Sequence, residues 1–282
     1  MRALIALASG MALAAAAQVS MPPQAPAEKP PLRYNGKPIV LDFECREGDI
    51  QAGGLACTMQ DPCPVYLEVD SVEAVGDRIF LAGNIHTTAT TLYSVLLAST
   101  DGGKTWREPY ERIPAAGLDR IQFIDFQNGW VSGETQRPLP RDPFFLVTAD
   151  GGKQWEQRLI FADQQYGAVA QFGFSSRASG SVVIDRGFNG DSGRYELYET
   201  PNGGVTWNLR QTSEEPIQIK QASETTNEDW RVRPDAATKA YRVERHAGNR
   251  WRAVAAFSIS IGFCKPPEQP APQADAGAPG NF

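Results

Sequence analysis

Seven cationic side chains stand in or beside the polar loops of this chain: Arg120, Arg137, Arg141, Arg186, Arg194, Lys220 and Arg233. A guanidinium presents paired N–H donors that match a carboxylate. A group of them on one surface would therefore suit a carboxylate-bearing protein or glycan. The same loops also carry Asp142, Asp185, Asp191 and Asp235, which offer ordinary solvated ion pairs instead. Catalytic spacings are missing. The chain has no G-x-S-x-G nucleophile elbow, no H-E-x-x-H and no G-x-x-x-x-G-K-[ST] phosphate loop. Its two histidines, His86 and His246, lack zinc-ligand spacing to the cysteines. Residues 185–191 place oxygen-bearing side chains at alternate positions, as a calcium loop does, but the closing Glu is absent. Its Asn189-Gly190 pair is also a favoured turn. The residues thus point to no catalytic group, no metal and no cofactor.

The ends of the chain speak for export. Arg2 precedes an apolar run over residues 3–17 that ends in Ala15-Ala16-Ala17, the pattern of a cleaved signal peptide. A membrane span needs about 20 apolar residues, so no transmembrane segment is expected in the mature chain. Residues 18–31 form a Pro-rich tether and residues 266–282 a Pro- and Ala-rich tail, neither able to pack regularly. The folded domain is expected over residues 32–265, in a periplasmic or extracellular, monomeric protein. In that compartment Cys45, Cys57, Cys63 and Cys264 should form two disulfides. Three pairings are possible; the favoured one joins Cys45 to Cys264 and closes a short loop between Cys57 and Cys63. The 27 basic and 33 acidic residues leave a net charge of −6, which argues against nucleic acid or an anionic membrane surface as the main partner and leaves room only for local basic patches.

A repeat organises the elements that must position these groups. STDGGKTW begins at residue 99, TADGGKQW at 148 and TPNGGVTW at 200, with a decayed copy, ERHAGNRW, at 244. Each copy has the chemistry of a tight hairpin. Asp101, Asp150 and Asn202 can accept N–H bonds inside the turn. Gly103, Gly152 and Gly204 permit positive φ. Ser99, Thr148 and Thr200 can close the turn through their hydroxyls, and Trp106, Trp155 and Trp207 cap the core beneath. Upstream of each copy lie short runs rich in Val, Ile, Phe and Tyr, broken at Gly, Asn or Ser. Trp130 and Trp230 occupy matching positions and read as core. Each unit of 40–50 residues reads as four strands, and no stretch has sustained helical periodicity. The fold class is all-β: a small β-propeller of four to five four-stranded blades. The clear blades cover residues 66–112, 119–161, 168–211 and 217–258. Residues 34–65 and the closing AAFSISIGFC could pair as a fifth. Loops 84–91, 134–142, 186–194 and 234–239 then lie on the face opposite the Gly-Gly turns, which is the expected binding face.

The S/T-x-D-x-G-x-T-W pattern resembles the Asp box of the bacterial neuraminidase repeat. Combined with NGW-V-x-G upstream, it looks most like the propellers of photosystem II assembly factors and their non-photosynthetic relatives, over residues 66–258. That resemblance implies fold more than function. The sialidase branch implies a Tyr nucleophile, three arginines, an Asp acid/base and an F/Y-R-I-P motif before the first box. Here Glu111-Arg112-Ile113-Pro114 follows the first box, at the end of an outer strand and aimed away from the central mouth. The leading expectation is a non-enzymatic, extracytoplasmic binding or assembly scaffold with a protein or glycan partner in the cell envelope. A sialidase-like or other carbohydrate-active hydrolase is the alternative.

Overall fold

Apolar alternation and repeated turns build four sheets of four strands each, antiparallel but for one parallel edge pair. The structure, a computed structural model, describes residues 30–136, 139–187, 193–219, 229–260 and 262–266. The expected signal segment, most of the tether, the tail, Arg137 and Lys220 lie outside the described residues. Strands β1 (Leu32–Arg33) and β2 (Ile39–Leu41) and helix α1 (Glu47–Ala52) come first. Blade one follows with β3 (Cys63–Val75), β4 (Arg78–Thr87) and β5 (Thr91–Ser99). Its short outer strand β6 (Thr105–Trp106) is tied to β5 through the Ala98–Arg107 pair and to β1. Blade two is β7 (Ala116–Phe123), β8 (Gly129–Gln136), β9 (Pro140–Thr148) and β10 (Glu156–Leu159). Blade three is β11 (Ala168–Phe174), β12 (Gly180–Asp185), β13 (Tyr195–Thr200) and β14 (Asn208–Ser213). Blade four contains β15 (Trp230–Asp235), β16 (Ala240–Ala247) and β17 (Arg250–Ile259), and β18 (Phe263–Cys264) ends the series. The molecule is a small β-propeller.

Central strands are apolar on both faces because neighbouring blades cover both. Along β4, Ile79 and Leu81 pack with Leu97, Val243 and Phe257 of blades one and four. The alternate residues Phe80 and Ala82 pack the other way, with Phe123, Phe144 and Trp155 of blade two. Trp130, Phe145, Phe172 and Phe174 fill the space between blades two and three. Each such side chain contributes about 1.5–3 kcal/mol by leaving water. The outermost β14 covers nothing beyond it and is largely exposed.

No fifth blade forms among the described residues; both leftover segments enlarge existing sheets. Strand β2 runs parallel to β17, pairing Ile39 with Phe257 and Leu41 with Ile259. Strand β18 pairs antiparallel with β3, setting Cys264 opposite Cys63. The ends of the fold are therefore stitched to blades four and one, and disulfides Cys45–Cys264 and Cys57–Cys63 staple this region. The first closes a loop of 219 residues, so it removes much of the unfolded chain's freedom. Helix α1 was not legible by periodicity: six residues are under two turns, and only Ile50 is buried.

Candidate functional site

Three repeat turns hold their side chains alike. The Ser99 hydroxyl donates to Asp101 Oδ1 (2.9 Å) and accepts from Gly103 N–H (2.8 Å), while Asp101 accepts from the Lys104 and Thr105 N–H groups and the Thr105 hydroxyl. Thr148, Asp150 and Gly152 repeat this network, and so do Thr200, Asn202 and Gly204. Burial opposes ionisation of Asp101 and Asp150, but these donors outweigh it and hold both carboxyls below the usual carboxylate range. The second glycine also allows close approach. Gly152 has φ of 81°, and a Cβ there would run into the Phe80 ring of blade one. Trp106 and Trp155 are buried and Trp207 packs against the Phe145 ring. Arginines of the preceding blade reach these turns: Arg78 donates to Gly151 O and Arg158 to Gly203 O, each at 3.0 Å. The turns are joints between blades.

Away from these turns, along the inner strands, the chemistry is different. Each of β3, β7 and β11 carries a bulge at the same level, between Val69 and Ser71, Leu118 and Ile121, and Val169 and Gln171. A bulge adds an unpaired residue and re-aims its side chain. The extra residues are Asp70, Asp119 with Arg120, and Ala170. Glu134 on β8 and Glu68 on β3 join them. By surface area Asp70 and Asp119 are exposed and Glu134 is half-buried. Desolvation, with help from the Glu68 and Asp119 charges, pushes the Asp70 carboxyl up to about 7; only Asn84, at 3.3 Å, donates to it. Glu134 is likewise raised to about 7, first by burial and then by Asp119, against donors from Val169 N–H and Gln136. Burial also raises Asp119, which Arg120 partly offsets. Carboxylates of two adjacent blades thus lie close enough to repel one another.

Of the arginines anticipated from the sequence, Arg141, Arg186 and Arg194 are held by local partners. Arg141 bonds Asp142 (3.0 Å) and Gln164 (2.6 Å) and lies over the Tyr166 ring. Arg186 pairs with Glu196 (3.3 Å), donates to Tyr166 O and Gln165, and lies over Phe161. Arg194 is bidentate to Asp185, which that contact holds below its usual range. Arg120 stands in the inner bulge of β7, and Arg233 is exposed on β15 opposite Arg242. A repeated pattern marks the inner carboxylates in hindsight: Val69-Asp70-Ser71-Val72 and Leu118-Asp119-Arg120-Ile121.

Two Tyr/carboxylate pairs bear on the hydrolase alternative. The Tyr198 hydroxyl donates to Glu196 Oε2 (2.6 Å) on the third strand of blade three, beside Arg186. The Tyr93 hydroxyl donates to Asp49 Oδ1 (2.5 Å) beside a cavity of about 440 Å³ lined also by Arg46 and Arg112. Both phenols are raised by burial and then by the neighbouring carboxylate, Tyr93 to about 12. That favours the protonated phenol over a nucleophilic phenolate. Arg112 is bidentate to Glu108 and donates to Asp42 O, pinning the segment after β2 to blade one.

The class this geometry defines is an all-β propeller with an acidic inner rim. No protein-family model matches the chain. No curated protein matches it either. Among solved structures it is similar to YCF48 bound to a D1 peptide, at 16% identity over 68% of this chain and 56% of that one, with a TM-score of 0.40. It is also similar to YCF48 from Cyanidioschyzon merolae, at 18% identity over 68% and 57%, with a TM-score of 0.36. The chain spans little more than half the length of either.

Proposed function

We propose that this chain is an exported, non-enzymatic binding or assembly scaffold that receives a protein segment on the face opposite the Gly-Gly turns. The observation that carries this reading is the convergence of Asp70, Asp119 and Glu134, whose mutual repulsion a cationic side chain would relieve. A partner presenting Lys or Arg is the complementary chemistry. The two disulfides and the signal-like residues 1–17 support export. The Tyr/carboxylate pairs support binding over hydrolysis, since their phenols are stabilised as acids and their arginines are engaged by the chain's own carboxylates.

Calorimetric titration of a short lysine-rich peptide, with a glutamate-rich one as contrast, tests the reading. Saturable binding of the lysine peptide alone is expected, weakened in Asp70→Asn and Glu134→Gln. Equal binding of both peptides, or indifference to these substitutions, would overturn it. A fluorogenic sialoside is expected to remain intact, and turnover abolished by Tyr93→Phe or Tyr198→Phe would revive the hydrolase.

A further inference from the structure

The turns joining first to second strands and third to fourth strands crowd one side of the disc. Backbone bonds tie them in pairs: Gly102 N–H to Asp77 O, Gly151 N–H to Gln127 O and Gly203 N–H to Ala178 O. Charge is sorted on this side. Asp101, Asp125 and Asp150 fold back into their turns and accept backbone N–H groups there. The exposed tips carry Lys104 and Lys153 and two apolar groups, Phe126 and Val205, each 62% exposed.

The fourth, decayed turn extends the pattern. His246 stands where the Asp should be and Arg250 where a Thr stands in two of the other turns. Trp251 has left the core position that Trp106 fills, and lies half-exposed under the Arg231 guanidinium at 4.1 Å. Arg245 is directly opposite Arg252 across the β16–β17 ladder. Like charges so placed are destabilising unless an anion lies over them, and neither makes an ion pair among the described residues. Of the nearby carboxylates, Glu244 is occupied by Arg231, while Asp229 is 3.9 Å from His246. Around this turn Arg245, Arg250 and Arg252 outnumber Asp229, in a chain whose net charge is −6.

We infer that this side of the molecule rests on an anionic lipid surface. Projecting tips that alternate cations with single aromatic or aliphatic groups fit a planar, charged interface, where cations meet headgroups and rings settle at their level. A protein partner would call for a contiguous apolar centre, and here the apolar tips are isolated and the Trp251 face is already covered. The acidic residues of the inner strands lie away from these turns, so this contact does not depend on the proposed partner site.

Flotation with lipid vesicles tests the inference, using the chain from Pro31, which forms a compact unit carrying every strand and omits the apolar leader. Binding is expected to vesicles enriched in phosphatidylglycerol and not to pure phosphatidylcholine, and it should vanish in high salt. Lys104→Glu, Lys153→Glu and Arg250→Glu combined should weaken it by about 100-fold, with an unchanged circular dichroism spectrum. Phe126→Ser alone should weaken it less. Failure to float with anionic vesicles at low salt overturns the inference, as does full binding by the triple variant. Capture of polyglutamate without vesicle binding overturns it in favour of an acidic protein partner.

Discussion

The same residue type meets opposite fates in two regions of the blades. At the Gly-Gly turns, Asp101 and Asp150 are ringed by N–H and O–H donors and are held strongly acidic. At the inner bulges, Asp70 and Asp119 lose water, gain few donors and face one another, so they hold protons more tightly. Carboxylates in the first region stabilise joints. Those in the second are a local cost to the fold, which suggests a role outside it. The difference lies in local donors, because both regions are built from the same antiparallel hairpins.

The largest effect separates intact turns from the decayed one. Trp106→Ala should cost about 3–5 kcal/mol in urea unfolding, since Trp106 is 1% exposed and its indole N–H bonds Gly103 O. Trp251→Ala should cost well under half of that, and equal losses would mean that the fourth turn is as structural as the first. Next, Asp101→Ala should destabilise by about 1–3 kcal/mol by stranding turn donors, whereas Asp70→Asn at pH 8 should leave the midpoint unchanged or raise it. A loss at Asp70 matching that at Asp101 would erase the contrast.

The pH profile sharpens the comparison further. Asp70 and Glu134 hold protons up to about pH 7 in the folded state but release them near pH 4 when unfolded. Their contribution is fully present below the unfolded pKa and is lost as pH rises through about 7. Asp101 and Asp150, with depressed values, stabilise above the unfolded pKa and lose that contribution in acid. Thermal midpoints should therefore fall between pH 5 and 8, and the combined Asp70→Asn, Glu134→Gln variant should flatten that slope while keeping the acid limb. The smallest effect belongs to the surface. Arg194→Gln removes a pair with Asp185 that water largely screens, and should change stability by less than about 1 kcal/mol.

Much of the propeller was legible from residue order. Three Gly-Gly turns at near-regular spacing announce hairpins, and the apolar runs between them announce strands buried on both faces. Closure was not legible. β2 and β18 are three and two residues long, and their partners lie far away in the chain, where local propensity has no reach. The inner carboxylates were hidden for a related reason. A bulge shifts the two-residue alternation, so counting along β7 does not reveal that Asp119 comes close to Asp70. The loop arginines were visible as charges, but Arg186 meets Glu196 only once β12 and β13 pair, and Phe161 only once the segment after blade two packs against blade three.

By itself, the sequence determined what depends on near neighbours: the turns, the strand content, the repeat and the placement of cysteines near both ends of the fold. Tertiary structure decided which charges meet. Whether a carboxylate is acidic or holds its proton depends on the donors and water within a few ångströms. For Asp70 that environment is assembled by packing β3 against β7, whose Asp119 lies 49 residues further along the chain.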